Sequence, residues 1–484
     1  MKRQHKIAIL KYTTKNFWLL LIPLVRGLIA VGFDFYNWFQ GAYLDIIVIL
    51  LIIGLAVLRW RFVQFQILEE GVAVKMGVIL RSEFTVPYRA LSCVSSKRAM
   101  WFRPIKAVTV SMDSDSHSVP NKHGKADVEI IMKIGDYDEL YQKAPSDTSA
   151  AKITYYASKY NLIFFSLVFS STLSGVIFLG TFFIQGGKIV GGELERLLIN
   201  AVSDVTSRVQ TIIDGVTPFS VGLTLIIALG WGFSFVSNLL RHINFKAQRF
   251  GDNIFVENGF FSRWKYYVNC SRINYADLRQ NLLMKACKVM SVHVSCTGYG
   301  KSKNEIPVFV PVTTRDRVIG SMRLLLPNFT VSDITIKTKG SYIMPFIWAP
   351  LIAAAAFPVG AVFAVRFLPN WGSVTQFLLI MGEIPSLYML AVGIAAKFST
   401  GIGIGDGTIT LKYCKTNKFH TVIVPKDKIV YVRLSRTIFQ LMNGTADVWV
   451  YTRGERAAKH RIRGIPVNIA EDFVKIYDGK RQDI

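Results

Sequence analysis

Charged residues are scarce in this sequence. Only 18% of its 484 residues are Asp, Glu, Lys or Arg, whereas 51% are hydrophobic, and the mean hydropathy is +0.34. A soluble domain carries about 25% charged residues. The composition therefore argues against an ordinary soluble enzyme and favours a membrane protein.

Residues that bind metals are also few and scattered. The chain has five cysteines, which are Cys93, Cys270, Cys287, Cys296 and Cys414, and seven histidines. No two cysteines form a Cys-x-x-Cys pair, and no His-x-x-x-His or His-Glu-x-x-His pattern is present. Such pairs are what zinc sites require. We expect no metal, no cofactor, and thiols that stay reduced in the cytosol.

Signatures of enzymes are missing as well. The stretch nearest to a Walker A loop, Ser295–Ser302, has serine where the first glycine must stand. The glycine run Gly401–Gly407 has Asp406 at the third glycine of the dinucleotide-binding spacing. Both motifs need glycine backbone at those points to approach phosphate. The sequence therefore predicts no catalytic residues and no enzymatic activity.

Long apolar runs are plentiful. A helix needs roughly 20 apolar residues to cross the hydrocarbon core of a membrane. The six runs are Phe17–Phe33, Tyr43–Leu58, Leu162–Ile184, Phe219–Leu240, Tyr342–Leu368 and Val374–Phe398. They predict six transmembrane helices in three hairpins.

Positive charge is unevenly distributed. The net charge is +25, and residues 1–16, 59–160, 241–341 and 397–484 hold 52 of the 57 Lys and Arg. Basic residues favour the cytoplasmic side of a membrane. The pattern predicts a multi-pass protein of the bacterial plasma membrane, with both termini in the cytosol. Contact with anionic lipids explains the basic excess better than nucleic-acid binding does.

A related segment follows each hairpin. Each begins with a strand in which apolar and polar residues alternate, the period of a half-buried strand. The three strands lie in Glu70–Leu80, Asp252–Phe261 and Asp406–Cys414. Gly77 and Gly259 stand where the first two hairpins must reverse.

Three further features recur at matching distances. The first is a short anchor, at Val86–Leu91, Val268–Ile273 and Val424–Ile429. The second is a Val-x-Val pair, at Val108, Val292 and Val448. The third is a closing helix, at 136–144, 314–325 and 468–477. Several antiparallel strands closed by one helix are the order of a pleckstrin-homology-like (PH-like) barrel.

These features predict the following fold class: an α+β membrane protein with six transmembrane helices in three hairpins, each followed by a cytosolic PH-like β-barrel or β-sandwich with a C-terminal helix. The predicted parts are a basic tail (1–16), hairpin 1 (17–58), PH-like domain 1 (59–160), hairpin 2 (161–240), PH-like domain 2 (241–341), hairpin 3 (342–398) and PH-like domain 3 (399–484). Within hairpin 2, residues 191–215 predict an outer amphipathic helix, which lies on the outer leaflet or covers the helix bundle, or else is a docking surface for a partner or an incoming peptide.

The anchor, the Val-x-Val pair and the final Gly464-Ile-Pro466 resemble bacterial PH-domain membrane proteins, and the triplication resembles their YdbT type. The second anchor departs from the pattern with Asn269 in place of proline. The resemblance implies a non-enzymatic membrane scaffold or interaction protein that protects the envelope against antimicrobial peptides. It also implies a smaller PH-domain membrane partner, or else a homo-oligomer.

Two groups of charged residues are candidate sites. Arg26, Asp45 and Glu383 fall inside apolar runs, where charge is costly and is a functional candidate by default. They form either an ion pair that fixes the helix bundle or a polar site for a lipid headgroup or peptide. The second reading gives the alternative function, a transporter or lipid-handling protein. The candidate basic surface comprises Arg98, Arg103, Lys428, Arg433 and Arg436.

Overall fold

The structure of the chain is a computed structural model. It describes residues 1–13, 27, 32, 34–78, 80–114, 126–143, 153–169, 192–210, 218–299, 308–367, 372–454 and 458–478. The candidate Arg26 and nearly all of the first apolar run lie outside these residues.

Within the described residues, the strands form three repeat units of seven strands each. Unit 1 has β1 Lys2–Arg3, β2 Gln64–Ile67, β3 Gly71–Met76, β4 Ser82–Pro87, β5 Leu91–Ala99, β6 Ala107–Ser114 and β7 Val128–Lys133. Unit 2 has β8 Ile153–Tyr156, β9 Lys246–Phe250, β10 Asn253–Asn258, β11 Ser262–Asn269, β12 Ile273–Gln280, β13 Val289–Cys296 and β14 Val308–Thr314. Unit 3 has β15 Ile336–Lys337, β16 Gly401–Ile404, β17 Thr408–Lys415, β18 Lys418–Pro425, β19 Ile429–Ser435, β20 Thr445–Thr452 and β21 Ala458–Pro466.

Helices connect and close these units. The long helices are α2 Phe35–Phe62, α5 Gly192–Gln210, α6 Pro218–His242, α9 Met344–Phe367 and α10 Gly372–Ser399. The shorter helices are α1 Ala8–Tyr12, α3 Ile134–Lys143, α4 Lys159–Phe169, α7 Leu282–Ala286, α8 Arg315–Leu325, α11 Ile438–Met442 and α12 Val467–Asp478. The three predicted closing helices are confirmed as α3, α8 and α12.

Each unit is built in the same order: four strands, a short 3-10 turn, three strands and a closing helix. The predicted anchors are the ends of β4, β11 and β18 together with the 3-10 turns that follow them. Gly77 and Gly259 adopt φ of +113° and +99°, and a Cβ there would meet a backbone oxygen at 1.9 and 2.0 Å. Only glycine fits these hairpin turns.

Apolar side chains from the two sheets of each unit form its core. In unit 1, Phe65, Val110 and Ile130 are fully buried together. In unit 3, Ile409 and Phe473 occupy the equivalent core. Since side chains alternate between the faces of a strand, the period-2 pattern of the sequence places them there.

The N-terminal residues, predicted as a basic tail, are part of unit 1. β1 pairs with β2, so that Lys2 stands opposite Phe65. The His5 amide donates to the Ile131 carbonyl oxygen (2.8 Å), and Trp60 Nε1 donates to the Gln4 carbonyl oxygen (2.9 Å). Short-range apolar pattern is too weak in this segment to reveal these pairings.

The six-span prediction is wrong. Within the described residues, two helices are long and apolar enough to cross a membrane, Val221–His242 and Met344–Phe367. The third apolar run has a described helix of only 11 residues, α4. Over their described residues, α2 and α10 do not meet the combined requirement of length and apolarity. Apolar composition of a run is only one condition, because a span needs a helix that is both about 20 residues long and apolar over that length.

The two helices that do qualify are exposed. Their most apolar windows are 11% and 0% buried. Core helices of soluble proteins are mostly buried, because burial of apolar surface is what stabilises them. Exposed apolar helices of this length point to membrane association.

Candidate functional surfaces

Neighbouring units are joined through their sheets. One seven-stranded sheet runs β7-β6-β5-β11-β10-β9-β8, and the other runs β14-β13-β12-β18-β17-β16-β15. The three-stranded sheet of unit 1 thus continues into the four-stranded sheet of unit 2, and unit 2 continues into unit 3 in the same way. Nothing in the local sequence predicts this, since the paired strands are far apart in the chain.

Side chains cross each junction into the neighbouring unit. Cys93 of β5 is buried in the core of unit 2, opposite Val268. Ile423 of β18 is buried in that same core, and Tyr275 of β12 packs against the core of unit 3. The units therefore share buried surface and are held as a row.

Polar contacts add to each junction. At the first, Lys97 Nζ lies 4.4 Å from the ring centroid of Trp264, its directly opposite neighbour. At the second, His420 Nδ1 lies 3.0 Å from Asp277 Oδ2, which also accepts a hydrogen bond from Arg279 Nε (2.6 Å). The contact at the second junction is shielded from solvent, since the side chains of His420 and Asp277 are 12% and 4% exposed, and this strengthens it relative to a surface pair.

Burial and neighbouring groups shift the pKa values of side chains at the second junction. Burial alone would raise the pKa of Asp277, but the hydrogen bond from His420 and the charge of Arg279 outweigh it and hold that pKa well below its usual range. Burial lowers the pKa of His460 to about 4. Tyr413 Oη lies 2.9 Å from His460 Nδ1, and burial raises the pKa of Tyr413. His460 is therefore neutral at pH 7 and packs as an uncharged side chain.

Large apolar side chains are exposed at one end of each unit. They lie in the β3–β4 and β10–β11 turns and in the segments that follow β5, β12 and β19. The residues are Val78, Leu80, Met100, Trp101, Phe260, Phe261, Leu283, Ile438, Phe439, Leu441 and Met442. We call this set the apolar tips. Trp101 is 81% exposed and Phe439 is 77% exposed, unusual values for side chains of this size.

The first tips are bound to the ends of long helices. In the β10–β11 turn, the Phe260 amide donates to the Leu240 carbonyl oxygen at the end of α6 (3.0 Å). The Arg81 guanidinium lies 5.2 Å from the ring centroid of Phe62, the last residue of α2.

The other tips are bound in the same way. Lys285 Nζ of α7 donates to Ser399 Oγ at the end of α10 (2.9 Å). Gln440 Nε2 of α11 donates to Tyr342 Oη just before α9 (2.7 Å). The tips of all three units therefore lie beside the unit-proximal ends of four long helices.

The predicted basic surface is divided between units. Arg98 donates to the Arg103 carbonyl oxygen (3.3 Å), and Arg103 donates to the carbonyl oxygen of Phe260, so this pair lies among the tips. Lys428 lies instead at the other end of β19 and donates to the Ser271 carbonyl oxygen of unit 2 (3.3 Å).

The other two basic candidates belong to unit 3. Arg433 is exposed on β19, and Arg436 pairs with Glu471. In the described part of the chain, no hydrogen bond or ion pair joins them to Arg98 or Arg103.

The intramembrane candidates are not brought together in the described residues. Arg26 lies outside them, and the same is true of the side chain of Asp45 in α2. Glu383 lies in α10, where its Oε2 is buried without a hydrogen-bond partner among the described residues. The predicted partnership of Arg26 with Glu383 or Asp45 stays a prediction.

A cavity of about 670 Å³ opens beside the end of α6. Its apolar wall includes Leu162, Ile163, Leu239 and Ile243, and its polar rim includes Lys159, Asn244, Lys246, Glu257 and Arg263. An apolar wall next to several cations suits an amphipathic molecule with an anionic head.

The chain was compared with known proteins. Three segments, residues 8–143, 198–323 and 349–481, match the model of the family described as bacterial PH domain. The chain belongs to the bacterial PH domain family. The three matches are consistent with three copies of the domain and confirm the resemblance seen in the sequence. No curated protein matches the chain.

The three units are therefore referred to as PH domains. A repeated domain of this family indicates an interaction role for the protein. Sequence reasoning missed the apolar tips, although a signal for them was present. Trp101, Phe260 and Phe439 stand in the short connections between strands, and their side chains are exposed there.

Proposed function

We propose that this protein is a membrane-bound interaction scaffold without enzymatic activity, in which a row of three PH domains is held against the cytosolic surface of the bacterial plasma membrane. The observation that carries the proposal is the position of the apolar tips beside the ends of α2, α6, α9 and α10. If α6 and α9 cross the membrane, the tips of every PH domain reach its surface.

The chemistry of the tips supports this arrangement. Aromatic side chains such as Trp101 are favoured at the membrane–water interface, where an apolar ring meets a polar environment. Arg98, Arg103 and Lys285 lie among the tips, and each basic group near an anionic surface contributes about 1 kcal/mol of attraction. The excess of Lys and Arg in the PH domains supports a cytosolic position.

The proposed biological role is protection of the envelope against antimicrobial peptides, as the family resemblance implies. The scaffold would act by holding membrane partners in a row. Cells that lack the protein are then expected to become more sensitive to a cationic antimicrobial peptide. Complementation by the wild-type protein, but not by a variant lacking residues 185–216, would place part of that activity in the segment around α5.

Depth measurements test the membrane position. In a cysteine-free background, a bimane fluorophore on Phe439→Cys is expected to be quenched by brominated phospholipids in nanodiscs. The same label on Asp427→Cys is expected to be quenched little. Asp427 is exposed at the other end of β19, and seven strand residues span about 23 Å. Equal quenching at both positions would contradict the proposed orientation.

The cavity beside α6 favours a second candidate function, binding of an anionic phospholipid. Its apolar wall and its cations Lys159, Lys246 and Arg263 match an acyl chain and a phosphate. This candidate differs from the scaffold because it requires a lipid to be held in the cavity and not only at the tips.

Charge removal tests the lipid site. The double variant Lys246→Gln, Arg263→Gln is expected to weaken binding of short-chain phosphatidylglycerol roughly 30-fold, since two lost basic contacts are worth about 2 kcal/mol. Arg323→Gln is the matched control, because Arg323 is exposed on α8 of the same PH domain and does not line the cavity. Unchanged affinity in the double variant would rule out the lipid site.

A further inference from the structure

Two sheet edges remain at the ends of the row. In each junction, the last strand of a four-stranded sheet (β11 or β18) pairs with the first strand of the preceding three-stranded sheet (β5 or β12). The equivalent of β11 in the first PH domain is β4, and the equivalent of β5 in the third is β19. Within the described residues, β4 pairs only with β3 and β19 pairs only with β20.

Both junctions use the same register. In β5, β12 and β19, position 0 is the first residue after the 3-10 turn: Leu91, Ile273 or Ile429 respectively. At the first junction, the residue at position 2 of β5 is Cys93, and it stands opposite Val268 of β11. At the second junction, Ala276 at position 3 stands opposite Ile423, one residue before the equivalent Val424. The offset between the strands is therefore identical.

The free strand β19 keeps the geometry of its paired equivalents. β5, β12 and β19 each carry a register irregularity at the same place, between positions 0 and 2, when they pair with the next strand of their own sheet. The free edge is thus a repeat of a surface that the chain pairs twice.

Side chains of β19 are more exposed to solvent than those at the same positions of the paired strands β5 and β12. At position 1, Ser92 and Asn274 are 1% and 7% exposed in the junctions, whereas Val430 is 39% exposed. At position 2, Cys93 is 1% exposed, whereas Tyr431 is 42% exposed. An edge strand with exposed apolar side chains is a template for pairing with another chain.

We propose that the β19 edge of one copy of this protein pairs with the β4 edge of a second copy, forming a third junction between molecules. The repeated register sets Tyr431 opposite Val86, Val432 opposite Thr85 and Arg433 opposite Phe84. A cation would thereby face an aromatic ring, as Lys97 faces Trp264 at the first junction.

The occupant is a second copy because both halves of the missing junction are present in this one chain. The contact is head-to-tail, so it repeats from copy to copy until a ring closes or a filament forms. In one respect it rests on the proposed scaffold function: all copies must present their tips to the same membrane surface, which a repeat of the internal junction achieves.

Disulfide cross-linking in native membranes tests the junction. In a background with all native cysteines replaced by alanine, the double variant Val86→Cys, Tyr431→Cys is expected to give a ladder of dimers and larger multimers on oxidation. Directly opposite strand residues have Cα atoms about 4.5–5.5 Å apart, within the range of a disulfide. Each single variant is expected to give no ladder, and the two single variants expressed together are expected to give only a dimer.

Two controls make the result decisive. Native Cys93 with Val268→Cys, the same pair at the first internal junction, is expected to form an intramolecular disulfide under the same oxidation. Thr85→Cys with Tyr431→Cys shifts the register by one residue and is expected not to cross-link, because a one-residue shift turns the side chain to the other face of the sheet.

The absence of a self-ladder would overturn the proposed junction. If the internal control forms its disulfide while the Val86→Cys, Tyr431→Cys variant stays monomeric, the proposed junction is wrong. A cross-link to a different protein without a self-ladder would likewise overturn the assignment of a second copy. Quenching at position 439 by brominated lipid would still hold in either case, so the membrane scaffold would be retained.

Discussion

Replacement of Asp447 by alanine is expected to destabilise the third PH domain by about 3–5 kcal/mol, because the buried donors of Gln440 and Gly464 lose their acceptor at roughly 1–3 kcal/mol each. Asp447 is 1% exposed on β20. Its Oδ2 accepts hydrogen bonds from Arg461 Nε (2.8 Å) and Nη2 (2.6 Å), and its Oδ1 accepts from Gln440 Nε2 (2.6 Å) and the Gly464 amide (3.0 Å). Alanine would leave all four donors without this acceptor.

Hydrogen exchange measured by mass spectrometry checks this expectation. Peptides from β20, β21 and α12 should exchange faster in the variant at pH 7, while peptides from β3 and β6 of the first PH domain should not change. Asp472→Ala is the matched control, since Asp472 is 73% exposed and its Oδ1 lies 3.9 Å from Lys475 Nζ; its effect should stay within about 0.5 kcal/mol. Equal protection in both variants would show that Asp447 does not hold the domain together.

Lowering the pH from 6.5 to 4 is expected to reduce the free energy of unfolding of the third PH domain by about 3 kcal/mol through His460 alone. Burial, the largest cause, lowers the pKa of His460 to about 4 in the folded protein. The unfolded chain takes up this proton near pH 6.5, whereas the folded domain does so only near pH 4. Stability is therefore complete above pH 6.5 and falls with pH between the two values.

Hydrogen exchange of β20 and β21 peptides, corrected for the intrinsic rate at each pH, measures this slope. In the variant His460→Gln, most of the slope between pH 6.5 and 4 should disappear, because glutamine does not titrate. Asp277 acts in a lower window: its depressed pKa stabilises the fold above the usual carboxyl pKa, and that contribution is lost only as the pH falls further. A wild-type protein with equal stability at pH 6.5 and 4.5 would contradict the buried, neutral state of His460.

Much of the secondary structure was predictable from the sequence. The alternation in Asp252–Phe261 indicates a strand, and β10 forms at Asn253–Asn258. The repeated Val-x-Val pairs lie in β6, β13 and β20, and the closing helices fall within two residues of their predicted bounds. These features depend on local periodicity, which a single segment expresses by itself.

The membrane segments were predicted less well, because the apolar composition of a run does not by itself establish a helix that is both long enough and apolar enough to cross a membrane. The runs at Phe219–Leu240 and Tyr342–Leu368 do correspond to the two candidate spans. The amphipathic pattern at 191–215 corresponds to α5, Gly192–Gln210. Whether Arg26 meets an acidic partner depends on distances between helices, which no spacing along the chain encodes.

By itself, the sequence determined the three repeats, their strands and closing helices, and the family to which they belong, because each follows from patterns within about 100 residues. Only the tertiary structure decided that β5 pairs with β11 and β12 with β18, that Cys93 enters the core of the next PH domain, and that Trp101 and Phe439 are exposed beside helix ends. Backbone hydrogen bonds across a sheet edge are almost independent of side-chain identity. The partner of an edge strand is therefore settled by the arrangement of whole domains, and the same physics leaves β4 and β19 open to a second molecule.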